Sequence, residues 1–108
     1  GYTLDAGNFT CVGENVLDAY ERLKPYMVHL HVKEWAYTDD PAGIRCSDGR
    51  RVNGVAYGTG IVPLRELIRR IRADARYQGA IVLEHNAVFG FSAGDIERSA
   101  SFLREQLL

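Results

Sequence analysis

Apolar residues along this chain follow two periods, and each switch between them marks an element. Tyr2-Thr3-Leu4-Asp5 is a short apolar run that stops on a carboxylate. After a loop containing Gly7, Asn8 and Gly13, the residues Val16, Ala19, Tyr20 and Leu23 recur at helical spacing, and Pro25 closes that helix. A second strand is predicted over about residues 26–34. Met27, Val28, Leu30 and Val32 make it nearly continuous, with His29 and His31 on the opposite parity. A strand's period of two puts both histidines on one face and the aliphatic side chains on the other. Pro63 fits the first turn of another helix, whose buried stripe is Leu64, Leu67, Ile68, Ile71 and Ala75. Gly79 opens a third strand, Ala80-Ile81-Val82-Leu83-Glu84. A last helix begins near Ser92, with Asp95 placed for a capping box and Ile96, Ala100, Leu103 and Leu107 as its inner stripe.

Residues 36–61 read as a long connection. Asp39-Asp40-Pro41 and Asp48-Gly49 are turn signals. Ile44-Arg45-Cys46 and Arg51-Val52 flank a small surface hairpin, and Gly58-Thr59-Gly60 follows. A connection this long in a compact domain is functional or mobile.

The order strand, helix, strand, loop, helix, strand, helix predicts an α/β fold of parallel, right-handed β/α units. Three such units are too few to cover both faces of a parallel sheet or to close a barrel. The 108 residues permit one small domain. The chain opens at Gly1 and enters a strand at once, which reads as a portion with earlier strand–helix units upstream.

Composition narrows the function. Thirteen basic residues against fourteen acidic leave a net charge of −1, so neither a nucleic-acid field nor an acidic tail is expected. No apolar run approaches the ~20 residues of a membrane helix, and the opening residues do not read as a signal peptide. Cys11 and Cys46 share no metal-type spacing and make no disulfide scaffold; both read as reduced, which predicts a cytoplasmic protein.

Chemistry is expected at the strand ends, where parallel α/β folds place their sites. There stand Asp5, His31 and Glu84. Two carboxylates and an imidazole suit Mn²⁺, Co²⁺, Mg²⁺ or Zn²⁺ and disfavour thiolate metals. Each also has a plainer reading: Asp5 as a turn or helix-cap acceptor, Glu84 as a surface carboxylate, His31 as a satisfied core histidine. His29, one pleat below His31, reads as a core donor or as a group that orients a ligand. Lys33 shares their face and either meets a substrate oxygen or snorkels to solvent. Glu34, of opposite parity, is expected in an ion pair or helix contact. Arg65, Arg69, Arg72 and Arg76 line one side of the middle helix, as an anion patch or a solvated flank. Phe9, Trp35 and Tyr37 follow strand ends, where aromatics shape a pocket or simply pack.

The segments TLDAGN, VHLHVKEW, YGTGIVPLRELI and GAIVLEHN, in this order and spacing, resemble the C-terminal part of the xylose-isomerase-like sugar phosphate isomerase/epimerase superfamily. The resemblance covers essentially the whole chain. It implies a TIM barrel, incomplete in this chain, with residues 1–108 as its last three β/α units. It implies a divalent metal held by Asp5, His31 and Glu84, with a further Glu ligand upstream. Gly58 to Pro63 takes the place of a glycine-rich motif that leads into a barrel helix. The candidate substrate-binding residues are Asn8, Lys33 and His29. Asn8 stands where many members carry a His; it can hydrogen-bond a hydroxyl but cannot ionise near neutrality. Tyr37 stands near the place of an Arg found in many epimerases.

The implied activity is isomerisation or epimerisation of a sugar or polyol by proton transfer beside a carbonyl. The metal would serve as Lewis acid, and Glu84 as both ligand and catalytic base or acid. One alternative is an inosose-type dehydratase of the same family. Another is a non-catalytic fragment that needs a further chain to complete the barrel through its open strand edges. A nucleic-acid enzyme of the related endonuclease branch is disfavoured by the charge balance and by Asn8. The expected partner is a small-molecule sugar or polyol, with no nucleic acid and no membrane; a homo-oligomer stays open. Lacking the upstream Glu, the isolated chain is expected to hold metal weakly and to lack epimerase activity.

Overall fold

The chain arranges its elements as β1 (Tyr2–Asp5), α1 (Asn8–Cys11), α2 (Val16–Leu23), a 3-10 turn (Lys24–Tyr26), β2 (Met27–Val32), β3 (Trp35–Thr38), β4 (Ile44–Arg45), β5 (Arg51–Gly54), α3 (Leu64–Ala73), β6 (Ala80–Leu83) and α4 (Ala93–Leu107). This is a computed structural model, which describes residues 1–85 and 92–108.

β1, β2 and β6 pair in parallel, with β2 in the middle. Their register puts Leu4 beside Leu30, Leu30 beside Ile81 and Val32 beside Leu83. Leu4, Leu30 and Val32 are fully buried, and they join Val16 and Tyr20 of α2 and Leu64, Leu67, Ile68 and Ile71 of α3 in one core. Side chains of the other parity therefore rise from the face without helices, where Thr3 and Val82 are exposed. Val28 breaks the aliphatic row expected of β2: it is 54% exposed. It lies against Gly1, which has no side chain to cover it. Among the described residues the parallel sheet stays open and does not close into a barrel.

Helix ends follow local chemistry. The Asn15 side chain accepts the N–H of Leu17 and starts α2, and Ser92 and Asp95 form the expected capping box at α4. α3 stops at Ala73, because Asp74 turns to extended backbone (ψ 99°). Ala75 thus lies beyond the helix and is exposed, not part of its stripe. In α4 the inner stripe is Ser99, Phe102 and Leu103, whereas Ile96 and Leu107 are exposed. α4 packs chiefly along α3, so only a narrow line of its surface is covered.

The connection after β2 holds more structure than its turn signals indicate. The expected hairpin is present, with Ile44 beside Val52 and Arg45 beside Arg51. A third strand, β3, joins β5 on its other side and completes an antiparallel sheet, order β3-β5-β4. Trp35 and Val52 anchor this sheet in the core. The loop expected after β1 contains the short helix α1. No helix among the described residues is long and apolar enough to cross a membrane.

Candidate metal centre

Register brings the strand-end side chains together. Asp5 is paired with His31 across β1 and β2, and His31 with Val82 across β2 and β6. Glu84 follows Val82 by one strand period and Lys33 follows His31 by one, so all four share the uncovered face. One ligand atom each from Asp5, His31 and Glu84 lie within 4.8 Å of one another. His31 Nδ1 is 3.2 Å from Glu84 Oε2. Lys33 Nζ donates to Asp5 Oδ2 at 2.9 Å and stands 3.5 Å from Glu84 Oε2.

Asp5 fills the turn-acceptor role that the sequence offered it. Its Oδ1 accepts the N–H groups of Gly7 (3.0 Å) and Asn8 (3.2 Å) and closes the turn into α1, while Oδ2 faces Lys33. Lys33 is buried, with its ammonium 5.7 Å from the centre of the Trp35 ring. A buried ammonium needs counter-charge, and the two carboxylates supply it. Two carboxylates against one ammonium leave a negative excess at the strand ends.

The remaining candidates sit around this set. His29 lies edge-on to His31, ring centres 5.2 Å apart. Asn8 supplies its backbone N–H to Asp5, and the residue is exposed. Trp35 is core, its Nε1 donating to the Gly7 carbonyl at 2.9 Å, and Phe9 packs against the core. Tyr37 is exposed beneath the Arg50 guanidinium.

Two residues take roles here that the sequence did not indicate. Glu34, expected in an ion pair or helix contact, makes no ion pair among the described residues. It is buried and accepts the N–H groups of Trp35 (3.1 Å), Val62 (2.9 Å) and Gly58 (3.3 Å). Burial pushes its carboxyl pKa up, and these amides pull it back. A side chain at Gly60 would start 2.1 Å from the Trp35 carbonyl, so the loop can close over Glu34 only with glycine there. The sequence signal was Gly58-Thr59-Gly60, but not its partner.

Tyr57 is the second. Its ring is buried, and burial pushes its phenol pKa far up. The hydroxyl proton is shared between the carbonyls of Val32 and Glu84 (2.7 Å to the latter), and the oxygen accepts the Glu84 N–H at 2.9 Å. Tyr57 opens the segment YGTG, yet nothing local in that segment indicates a contact with residue 84.

The arginine row of the middle helix makes its own contacts. Arg69 pairs with Glu66, Arg76 with Asp74, and Arg72 with the carbonyls of Gln106 and Leu108. Arg65 lies over the Phe102 ring. The arginine row is thus a flank in which Arg69 and Arg76 are paired with carboxylates. It borders a hollow of about 600 Å³ between α3 and α4, which no strand-end residue lines. Cys11 and Cys46 are free thiols that meet, and burial followed by the contact with Cys46 pushes Cys11 up to about 11. Asn86, the last residue of the fourth motif, lies outside the described residues.

A family model described as a xylose isomerase-like TIM barrel matches residues 1–106. No curated protein matches the chain.

Proposed function

The chain belongs to the xylose isomerase-like TIM-barrel family, and on that premise we propose that it carries the strand-end donors of a divalent-metal-dependent sugar or polyol isomerase or epimerase. The reading takes the chain as the C-terminal, partial barrel of such an enzyme. One observation carries it: Asp5, His31 and Glu84 bring ligand atoms within 4.8 Å of one another at the ends of three adjacent parallel strands. The donor set fits the group. Two carboxylates and an imidazole, with a negative excess, suit Mn²⁺, Co²⁺, Mg²⁺ or Zn²⁺. Such an ion supplies Lewis-acid polarisation of the carbonyl and adjacent hydroxyl oxygens of the substrate.

The protein's own groups divide the remaining work. Asp5 is held on one oxygen by two backbone N–H groups and on the other by Lys33, so it is a fixed holder. Glu84 is the more open carboxylate, its side chain 38% exposed against 17% for Asp5. That openness suits the role the family resemblance implies for it, to take a proton from the substrate carbon beside the carbonyl and return it. His29 fixes the ring of His31 by edge contact. Asn8, exposed beside Asp5, offers its amide to a substrate hydroxyl, and Lys33 lies close enough to the same carboxylates to meet a substrate oxygen.

A second reading has its own observation. Lys33 already bridges Asp5 and Glu84, so the cluster is also coherent as an ion network in a non-catalytic chain that pairs its open strand edges with another. Calorimetric titration with Mn²⁺ separates the two. The metal reading expects saturable, weak binding that disappears in Glu84→Gln and Asp5→Asn. Heat no greater than that of dilution, in a chain shown to be folded, sinks it in favour of the ion network.

A further inference from the structure

We infer that Tyr57 is a positioning residue that sets how Glu84 leaves the sheet, and through it the shape of the metal donor set; the inference rests on reading Glu84 as a ligand. The β2–β6 ladder pairs its last residues at Val32 and Leu83. Glu84 is the next residue, where a strand ordinarily frays. Its N–H donates to the Val32 carbonyl at 3.0 Å, the last bond of the ladder. The Tyr57 hydroxyl sits on that junction, touching the Val32 carbonyl and both the N–H and the carbonyl of Glu84. Both peptide groups flanking the Glu84 α-carbon are therefore constrained at once.

Tyr57 itself has little freedom. It is 3% exposed, and its backbone N–H donates to the fully buried Ser99 hydroxyl of α4 at 3.1 Å. Its ring packs against Phe102 and lies beside His85. The next residue, Gly58, donates its N–H to Glu34, three positions after His31. Loop 57–62 thus ties the end of β2, which carries His31, to the end of β6, which carries Glu84. A carboxylate that must both bind a cation and move a proton depends on such a hold for its angle, because orientation of a ligand is set by the contacts behind it.

The test uses the full chain and Co²⁺, whose visible absorption reports ligand geometry. Tyr57→Phe keeps the ring and removes the hydroxyl. The expected result is about tenfold weaker Co²⁺ binding or more, with an altered absorption envelope and an unchanged circular dichroism spectrum. Tyr20→Phe is the control. It removes another buried phenol hydroxyl, bonded to the Arg70 carbonyl and remote from the strand ends, and should leave Co²⁺ affinity and absorption as they were. Parent-like affinity and absorption in Tyr57→Phe overturn the inference alone. No saturable Co²⁺ binding by the parent overturns the metal reading, and this inference with it. If Tyr57→Phe does not fold, Ser99→Ala carries the test: a smaller loss of affinity in the same direction supports the inference, and parent-like binding overturns it.

Discussion

The strand-end cluster and the outer face of α3 use the same charged side chains under opposite conditions. On the outer face of α3, Glu66 pairs with Arg69 and Arg70 at one helical turn, with side chains that reach water, and just past the helix Arg76 pairs with Asp74 two positions away. At the strand ends, Lys33 meets Asp5 from 28 positions away and His31 meets Glu84 from 53, with the ammonium buried. Exposed pairs contribute little, because water screens them and ordering long side chains costs entropy. Buried charges cannot be left unpaired, so their removal should be felt throughout. The contrast teaches that charge count says nothing about importance; burial and sequence separation do.

The largest effect should come from Glu34→Ala. It strips the acceptor from three backbone N–H groups, those of Trp35, Gly58 and Val62. Buried donors left unmet cost about 1–3 kcal/mol each, so a loss of roughly 3 kcal/mol or more is expected in urea unfolding. A loss no larger than that of Arg69→Ala would break the comparison.

Lys33→Met should come next. It leaves Asp5 without its cation, at a cost of about 2 kcal/mol, less than a fully buried pair because Glu84 reaches water. Mn²⁺ should recover part of that loss through linkage. A variant as stable as the parent in metal-free buffer would place the lysine on the same footing as the arginines of α3.

The smallest effect should be one of sign. Glu66 is held down to about 2 by Arg69 and Arg70, from an ordinary 4.5. Its contribution is present above 4.5 and is lost as pH falls toward 2. Burial moves Glu34 the other way, up from 4.5. Its contribution is fully present below 4.5 and declines as pH rises through the raised value. Melting temperature followed against pH in the parent, Glu66→Gln and Glu34→Gln should therefore give difference curves of opposite slope. Parallel curves would remove the distinction between the two regions.

The local chemistry of this chain was legible from its residues. Helical spacing marked α2 and α3, and Ser92 with Asp95 marked the start of α4. Three apolar runs ending on Asp5, His31 and Glu84 pointed to one end of a parallel sheet, and the structure brings those side chains together. Period and parity suffice for that, because strand geometry is the same wherever a strand forms.

What lies between distant segments was decided by the tertiary structure. β3 exists because β5 pairs with it, and no periodicity over Trp35–Thr38 announces a partner so far along the chain. Ile96 and Leu107 are exposed because α4 finds only a narrow line of contact, a matter of what surrounds the helix and not of its own pattern. Glu34 and Tyr57 gain their roles the same way. A carboxylate becomes an amide acceptor, and a phenol becomes a clamp on residue 84, only after loop 57–62 folds back over the strand ends. Hydrophobic periodicity is a property of neighbours in sequence, so the chain carries it openly. Hydrogen-bond satisfaction in a buried space is a property of neighbours in three dimensions, and it exists only once the space has closed.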